Sequence, residues 1–450
     1  MIRYRARWVL PISSPPIADG IVAVEGDRIE YVGASTNAPA NDVEDLGNVI
    51  LLPGLVNAHC HLELTAMRGF LEDLDFRRWI RRLTHARRAV FDRDALLDSA
   101  RYGLEEGVLA GITAYADTCE SGVVIHAMRE AGVRGVMFQE VFGPDPAHAP
   151  QSVAELANKV ADLRYLETAL TRVGVSPHSP YTVSDNLFRA VTALAREHRL
   201  PMAIHIAESE LERELVVEAS GAFAYGLRQR GIDVTPRARS SIDLLSELGV
   251  LDVAPLLIHC VRVDQGDIQA IVESRSSVAH CPASNAKLGH GIAPLTELLA
   301  AGVTVGLGSD SMASNNRMDM LQEARLALLT QRARLQASAS PDAATVLELA
   351  TIGGARAIGI DAVAGTLEVG KQADLAAFAL DSRAPTQDPI AAAVYSIPGA
   401  QARFVSVAGR TLVERGMLVS PRPGLAIRVE SLAGALADWL RSGGETREAV

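Results

Sequence analysis

Five residues with metal-binding side chains each end a short apolar run of the sequence. They are His59, His61, His205, His259 and Asp310. Side chains two positions apart in a strand point to the same face, so we expect His59 and His61 to project together. A lone His-x-His pair or a single histidine on an apolar face is often an ordinary packed residue. Five such residues in equivalent positions instead indicate a divalent-metal site.

The ligand chemistry of such a site favours hydrolysis. Nitrogen and oxygen ligands suit Zn²⁺, and less diagnostically Fe²⁺ or Mn²⁺. Three or four protein ligands leave one coordination position open for water. A metal ion in this setting lowers the pKa of that water towards ~7, which makes hydroxide available at neutral pH. The pattern therefore predicts a metal-dependent hydrolase.

These residues must be positioned by the elements they terminate. Between residues 49 and 310, short β-rich runs alternate with longer helical stretches, which is typical of βα units and a parallel sheet. We predict strands near residues 51–58, 112–116, 135–139, 172–176, 202–206, 256–259, 277–280 and 303–308. Eight strands predict an α/β fold, a (β/α)8 TIM barrel whose chemistry lies at its C-terminal mouth. A doubly wound open sheet is the alternative, but no Gly-x-Gly-x-x-Gly follows the first strand.

The two ends of the chain show a different pattern. Short strand-like runs separated by turn signals occupy the first fifty residues and return after residue 365. We predict a small β-sandwich domain formed by residues 1–50 and 365–425, a metal-dependent barrel over 51–364, and a C-terminal helix and tail over 426–450.

Composition excludes several classes of protein. The formal net charge of −11 argues against binding to nucleic acid or to an anionic membrane. No apolar run approaches the roughly 20 residues of a membrane helix, and we see no signal peptide. The four cysteines form no Cys-x-x-Cys pair. We expect a cytoplasmic enzyme with a small-molecule substrate, and leave a homodimer open.

Two motifs resemble the amidohydrolase superfamily. The segment PGLVNAHCH at 53–61 looks like the first-strand signature of that family, and GKQADL at 370–375 looks like its turn back into the small β domain. Two-metal members usually carry a lysine or glutamate on strand four, and residues 172–177 contain neither. The resemblance therefore implies one divalent metal. His205 followed by Glu208 is similar to the mononuclear deaminase and chlorohydrolase branch.

That branch assigns roles to the candidate residues. The resemblance implies that the metal ligands are His59, His61, His205 and Asp310. Asp310 would also accept a proton from the bound water, and His259 would hydrogen-bond the hydroxide or the developing tetrahedral centre. Glu208 would carry the proton to a ring nitrogen and on to the leaving amine. The chemistry agrees, because an amidine-like carbon is a poor electrophile until its ring nitrogen is protonated. An ordinary first-turn helix glutamate is the alternative for Glu208.

Further segments resemble the adenosine-type deaminases of this branch. They lie at 62–69, 74–80, 176–183, 284–288 and 308–320. This group includes the methylthioadenosine/S-adenosylhomocysteine deaminases and the aminodeoxyfutalosine deaminases of menaquinone biosynthesis. The candidate substrate contacts are His178, Glu63, Ser284, Asn285 and Ser314. A residue that merely caps strand four is the alternative for His178.

One departure favours a particular substrate. S-adenosylhomocysteine deaminases place an arginine near the end of strand three, whereas this chain has FQEVFG at 138–143. Together with HLEL at 61–64, this favours the aminodeoxyfutalosine group, although Arg134 or Arg164 could serve as the missing arginine. A run of arginines over 77–88 reads as a solvated helix face or as a site for an anionic tail. Residues 221–241 look like an insertion near the barrel mouth.

The predicted activity is hydrolytic deamination of an adenine-type nucleoside to the inosine-type product and ammonia. Aminodeoxyfutalosine is favoured, followed by methylthioadenosine, S-adenosylhomocysteine and adenosine. The enzymatic alternative is a guanine or pterin deaminase, or an s-triazine aminohydrolase or chlorohydrolase. A non-catalytic barrel scaffold is the alternative of another class. Such scaffolds typically lose metal ligands, and this chain keeps all of them together with Glu208.

Overall fold

The computed structural model describes residues 1–40, 42–380 and 387–444. Strands and helices alternate through its middle, and strands dominate both ends. The strands are β1 (Ile2–Val9), β2 (Ile17–Glu25), β3 (Arg28–Ala34), β4 (Val43–Asp45), β5 (Val49–Pro53), β6 (Leu55–Cys60), β7 (Ile112–Cys119), β8 (Arg134–Val141), β9 (Thr171–Pro177), β10 (Ala203–Ile206), β11 (Leu256–His259), β12 (Ser277–His280), β13 (Thr304–Leu307), β14 (Leu375–Ala379), β15 (Ala402–Val407), β16 (Arg410–Glu414) and β17 (Met417–Leu418).

Helices follow most of the central strands. They are α1 (Phe76–Val90), α2 (Arg93–Leu109), α3 (Val124–Ala131), α4 (Ala149–Arg164), α5 (Asp185–His198), α6 (Glu210–Arg213), α7 (Gly221–Gln229), α8 (Ser241–Glu247), α9 (Gln265–Ser274), α10 (Pro282–Lys287), α11 (Leu295–Ala300), α12 (Met312–Asn315), α13 (Met320–Leu335), α14 (Ala343–Glu348), α15 (Gly354–Ala357), α16 (Pro389–Tyr395) and α17 (Leu425–Arg441). No helix of the described ranges has the length and apolar character needed to cross a membrane.

The central strands form two parallel sheets of four strands each. Their orders are β6-β7-β8-β9 and β10-β11-β12-β13. Isolated parallel bridges join Val175 to Met202 and Cys60 to Asp310, so each sheet meets the other at both of its edges. Every residue of β6 and β7 is buried, as expected for parallel strands that are covered on both faces. This arrangement brings the carboxyl ends of the strands to one side.

Strands from both ends of the chain share a nine-stranded mixed sheet. Its order is β17-β16-β15-β14-β5-β1-β2-β3, with β4 beside β1. A bridge between Arg28 and Gln372 connects the start of β3 to the segment before β14. The rings of Tyr4 and Phe404 pack with centroids 4.6 Å apart. The two ends of the chain thus form one mixed sheet, and the sandwich arrangement of this region stays a prediction.

One predicted strand is divided in the structure. The sequence suggested a single run over 51–58, but β5 belongs to the mixed sheet and β6 to a parallel sheet. The chain crosses between them at Gly54, whose amide donates to the Asp374 carbonyl at 2.9 Å. A Cβ on residue 54 would lie 2.1 Å from Thr113 Oγ1, so only glycine fits this crossing. The uninterrupted apolar sequence hides the division.

The C-terminal helix is longer than predicted. Within the C-terminal stretch over 426–450, the sequence pattern indicates a helix near residues 431–440. The observed α17 spans Leu425–Arg441 and follows Gly424 at a φ of +68°. Its Trp439 packs near Phe70, with ring centroids 6.2 Å apart. Residues 445–450 of the predicted tail, residues 381–386 of the predicted β domain and residue 41 lie outside the described residues.

A buried ion pair fastens the mixed sheet to the parallel strands. Arg134 at the start of β8 donates to both carboxylate oxygens of Asp374, at 2.8 and 3.0 Å, and to Gln372 at 2.7 Å. The two charged side chains are 3% and 1% exposed. The guanidinium of Arg134 is therefore occupied by Asp374 and Gln372.

Removal of this pair should destabilise the protein strongly. We expect Arg134→Ala to lower the free energy of unfolding by about 3–5 kcal/mol, because it leaves the Asp374 charge buried and unpaired. Chemical denaturation measures the change. The matched control is Arg164→Ala. Arg164 is 44% exposed, and its contact with the carboxylate of Glu167 is long, at 3.6 Å. Its replacement should lower the free energy of unfolding by less than about 1 kcal/mol. Equal losses in the two variants would contradict this reading.

Candidate metal centre and active-site cavity

The five predicted metal-site residues meet at the carboxyl ends of the parallel strands. His59 lies in β6, His205 in β10 and His259 at the end of β11. His61 directly follows β6, and Asp310 lies three residues after the end of β13. His59 Nε2 and His61 Nε2 lie 3.3 and 3.5 Å from Asp310 Oδ1. His61 Nε2 faces His205 Nε2 at 3.2 Å. The ligand atoms of His59, His61 and His205 lie within 4.8 Å of one another.

Burial keeps these imidazoles neutral. It lowers the pKa of His59, takes that of His61 to about 3, and brings that of His205 well below its usual value. Burial alone would raise the pKa of Asp310, but the contact with His59 and the surrounding histidines bring it well below the ordinary range. His59 Nε2 is buried without a hydrogen-bond partner among the described residues. Neutral nitrogens and an ionised carboxylate converging on one point are what a divalent cation requires.

Neighbouring side chains orient the acidic ligand. Ser284 and Ser314 both donate to Asp310 Oδ2, at 2.5 and 2.9 Å. Asp310 has a φ of +57°, a conformation that costs a non-glycine residue about 1–3 kcal/mol and often marks a functional site. His259 has a φ of +79°, and its Nδ1 donates a hydrogen bond to Asn285 Oδ1 at 2.9 Å. These contacts fix which atoms of Asp310 and His259 face the centre.

Three residues that were predicted to contact the substrate form these hydrogen bonds to Asp310 and His259. Ser284, Asn285 and Ser314 are buried and do not line the cavity. Each instead hydrogen-bonds Asp310 or His259. The structure therefore gives them an orienting contact, and their contact with substrate stays a prediction.

Glu208 lies beside the metal-site residues. It is 4% exposed, and its Oε1 is 3.5 Å from His259 Nε2 and 3.3 Å from His290 Nε2. Glu212 accepts hydrogen bonds from the backbone amides of Ala207 and Glu208, at 2.8 and 3.1 Å. The turn after β10 is therefore fixed by a second buried acid. Glu208 is thus a positioned carboxylate in the cavity wall and not a solvated residue of a helix turn.

His290 should tune the proton affinity of Glu208. Burial raises the pKa of Glu208, but the charge of His259 and the contact with His290 outweigh it, and the net shift is downwards. In His290→Asn we expect the pKa of Glu208 to rise. The acidic limb of the kcat–pH profile should then move to higher pH, because an ionised Glu208 is the form that accepts a proton. We expect kcat at neutral pH to fall roughly tenfold.

The control for this prediction is an exposed histidine. His148→Asn alters a side chain that is 67% exposed and should leave the profile in place. An unchanged acidic limb in His290→Asn would show that His290 only fills space.

A cavity of about 470 Å³ opens in front of this cluster. Its size falls within the range of small-molecule sites. His61, His205, Glu208, His259 and Asp310 form part of its wall. The candidate metal ligands and the candidate acid–base residue Glu208 therefore line the same cavity.

His178 and Glu63, two predicted substrate contacts, also line the cavity. His178 Nδ1 is bonded to the hydroxyls of Ser179 and Thr182 at 2.9 and 2.8 Å, and burial lowers the pKa of His178 to about 4. Glu63 is held by Arg87 at 2.9 Å and by the Ser121 hydroxyl. His178 is therefore a neutral group with Nε2 available, whereas Glu63 is already engaged.

The predicted insertion reaches the cavity. Helix α7 lies within residues 221–241, and its Phe223 stacks on Tyr181, with centroids 4.3 Å apart. Both rings contact Phe76 edge to face, at 6.4 Å from Tyr181 and 6.2 Å from Phe223. Arg230, directly after α7, and Arg88 of α1 line the cavity as exposed residues. Arg164, the other alternative arginine, does not line it. The insertion therefore contributes Arg230 to the cavity lining and packs Phe223 against Phe76 and Tyr181, two aromatic residues that line the cavity.

Sequence reasoning missed several residues of this site. Tyr181 and Phe76 lie in the segments 176–183 and 74–80, whose resemblance did not single out either ring. Glu140, near the end of β8, lines the cavity and lies in the segment 138–143, which drew attention only because it lacks arginine. His290 lies in the loop after α10, where no spacing relates it to Glu208. Glu140 could have been recognised from the sequence, because it is a polar residue near the end of a predicted strand.

The family model described as "Amidohydrolase family" matches residues 50–413. The chain therefore belongs to the amidohydrolase family. Membership makes it a hydrolase with the metal dependence and (β/α)8 fold that the family implies.

Several proteins of similar sequence are named as nucleoside deaminases. The chain is 34% identical over 417 residues to the 5-methylthioadenosine/S-adenosylhomocysteine deaminase of Moorella thermoacetica, covering 91% of this chain and 93% of that protein. It is also 34% identical to the 5'-deoxyadenosine deaminase of Methanothermobacter thermautotrophicus, covering 90% and 93%. The relatives of this chain are thus adenosine-type deaminases that act on C–N bonds.

Solved structures share the fold. A zinc-bound adenosine deaminase from Xanthomonas campestris superposes with a TM-score of 0.85 at 26% identity, covering 98% of both chains. An aminofutalosine deaminase of Helicobacter pylori gives a TM-score of 0.79 at 21% identity, covering 92% of this chain and all of that one. At the latter identity the likeness concerns the fold alone.

Proposed function

We propose that the protein is a metal-dependent deaminase that hydrolyses the exocyclic amine of an adenine nucleoside. One observation carries the proposal. Glu208, a buried acid within 3.5 Å of two histidines, shares one cavity with His61, His205 and Asp310. A carboxylate that could carry protons therefore lies beside the residues that we propose as metal ligands.

The donor set fits one divalent metal, with zinc favoured, held by His59, His61, His205 and Asp310. Its nitrogens are buried, and burial lowers the pKa values of His59, His61 and His205. His59 Nε2 makes no hydrogen bond with the described residues, although it lies 3.3 Å from Asp310 Oδ1. When bound there, such a metal supplies Lewis acidity and lowers the pKa of a bound water. The closing of the eight central strands into one barrel is part of the same proposal.

The chain's own residues then move the protons. Asp310 accepts a proton from the attacking water while Ser284 and Ser314 hold its other oxygen. Glu208, ionised at rest, takes the other proton of the water and delivers it to the purine nitrogen next to the reacting carbon, which makes that carbon electrophilic. It later passes the proton that Asp310 has accepted to the leaving amine, which departs as ammonia. His259, aligned by Asn285, hydrogen-bonds the oxygen that adds to the ring. Each role matches the hydrogen bonds available to that side chain.

The relatives favour adenine nucleosides as substrates. Their names include substrates with a modified 5′ carbon, and aminodeoxyfutalosine belongs to the same chemical class. Exposed Arg88 and Arg230 at the cavity rim suit a substrate with an anionic group at its far end. We keep aminodeoxyfutalosine as the favoured small-molecule substrate on this ground, with methylthioadenosine, S-adenosylhomocysteine and adenosine next.

An ammonia-release assay tests this proposal. Zinc-loaded protein is supplied with each of the four nucleosides and with guanine as a comparison. We expect strong turnover of at least one adenine nucleoside and little release from guanine. Turnover of guanine alone, or release from none of the five, would overturn the nucleoside assignment.

A further inference from the structure

Glu140 is a buried acid that the proposed mechanism does not use. It lies near the end of β8, is 9% exposed, and lines the cavity. Its Oε1 is buried without a hydrogen-bond partner among the described residues. A buried polar atom without a partner is costly, so a protein that keeps one at a ligand cavity gains from a ligand that satisfies it.

The neighbours of Glu140 place it on the substrate side of the metal centre. Ligand atoms of Glu140, His178 and His205 lie within 4.8 Å of one another. Since His178 Nδ1 is bonded to Ser179 and Thr182, its Nε2 is the atom left for the cavity. Glu140 and His178 thus present free polar atoms to the same space.

Glu63, another acid that lines the cavity, already has hydrogen-bond partners for both of its carboxylate oxygens. Glu63 Oε1 accepts from Arg87 at 2.9 Å, and its Oε2 accepts from the Ser121 hydroxyl. Arg87 also contacts Glu120. The guanidinium of Arg87 therefore pairs with both Glu63 and Glu120. Oε1 of Glu140, in contrast, makes no hydrogen bond with the described residues. Burial and then the charge of Glu63 raise the pKa of Glu140 well above its usual value.

We propose that Glu140 hydrogen-bonds a sugar hydroxyl group of the nucleoside and so selects substrates with an intact ribose. The inference rests on the proposed function. Glu140 contacts the hydroxyl group, whereas Glu63 pairs with Arg87 and keeps its guanidinium in position. A hydroxyl group fits this site because it can both donate to and accept from a carboxyl group.

Kinetics with deoxy analogues test the assignment. We measure kcat/KM for adenosine, 2′-deoxyadenosine and 3′-deoxyadenosine in the zinc-loaded enzyme and in Glu140→Leu, which keeps a side chain of similar size. The native enzyme should prefer adenosine to one deoxy analogue by roughly 10- to 100-fold. In Glu140→Leu that ratio should fall to about 1, because the hydroxyl no longer has a partner. Glu140→Gln should recover most of the preference, since an amide can also bond a hydroxyl.

Glu63→Gln is the matched control, because Glu63 lines the same wall. Its rates should fall for all three nucleosides while their ratio stays that of the native enzyme. A ratio that is lost in Glu63→Gln and kept in Glu140→Leu would overturn the proposal. A Glu140-dependent second equivalent of bound zinc would also overturn it, since Glu140, His178 and His205 would then hold a metal.

Binding separates this proposal from the proposed function. Calorimetry with the Glu208→Gln protein compares adenosine with the deoxy analogues when no turnover occurs. Weaker binding of one analogue, abolished by Glu140→Leu, supports the hydroxyl contact even if the native enzyme releases no ammonia. Equal binding of all three, or binding of none, overturns the role of Glu140 whatever the release assay gives.

Discussion

Glu208→Gln should lower kcat about 10³-fold while leaving one equivalent of metal bound. Positioned acid–base groups contribute roughly 10²- to 10⁴-fold, and Glu208 serves two proton transfers in the proposed mechanism. Glutamine keeps the size of the side chain but can neither accept the proton nor deliver it to the ring. Because Glu208 is not among the proposed ligands, metal analysis by mass spectrometry should be unchanged. The measurement is kcat for the best nucleoside substrate.

The matched control for this variant is Glu210→Gln. Glu210 lies two residues further along the chain, is 44% exposed and pairs with Arg213 at 2.6 Å. Its replacement should change kcat by less than about twofold, since exposed ion pairs contribute little. If Glu208→Gln retained more than about a tenth of the native kcat, the proton-carrier role would be wrong.

Loss of a ligand should remove the metal and the activity together. We expect His59→Ala to weaken zinc binding by more than about 100-fold, beyond the 10- to 100-fold typical of residues that only orient ligands. Ser284→Ala, which removes one hydrogen bond to Asp310, should fall within that smaller range. Zinc titration of chelator-treated protein measures both affinities.

The same titration can contradict the ligand assignment. Native protein should lose activity on chelation and regain it with one equivalent of zinc. Native zinc affinity in His59→Ala would exclude His59 as a ligand. Activity that survives complete metal removal would exclude a metal-dependent reaction.

Much of the metal site could be predicted from the sequence, because strand ends are readable. His59, His205 and His259 each follow a run of apolar residues, and parallel strands bring such positions to one side. The break at Gly54 could not be predicted in the same way. The residues on both sides of it are buried and apolar, so the pattern does not record that the chain changes sheets there.

The parts of the site that depend on loop packing were beyond the sequence. Ser284 and Ser314 were singled out as substrate contacts, and the hydrogen bonds that α10 and α12 let them make to Asp310 were not foreseen. His290 reaches Glu208 through a loop whose path no periodicity determines. Among the described residues, Arg87 forms ion pairs with Glu63 and Glu120, and not with Glu140. The sequence does not indicate which of these acids Arg87 contacts, because the contact depends on side-chain packing.

The most direct test of hydrolytic deamination is the fate of the solvent oxygen. Zinc-loaded protein reacts with the best adenine nucleoside in water enriched in oxygen-18, and mass spectrometry analyses the product. We predict one ammonia released per molecule of inosine-type product, which carries one labelled oxygen on the purine ring and none added to the sugar. Unlabelled product, or cleavage of the nucleoside without ammonia release, would contradict the account.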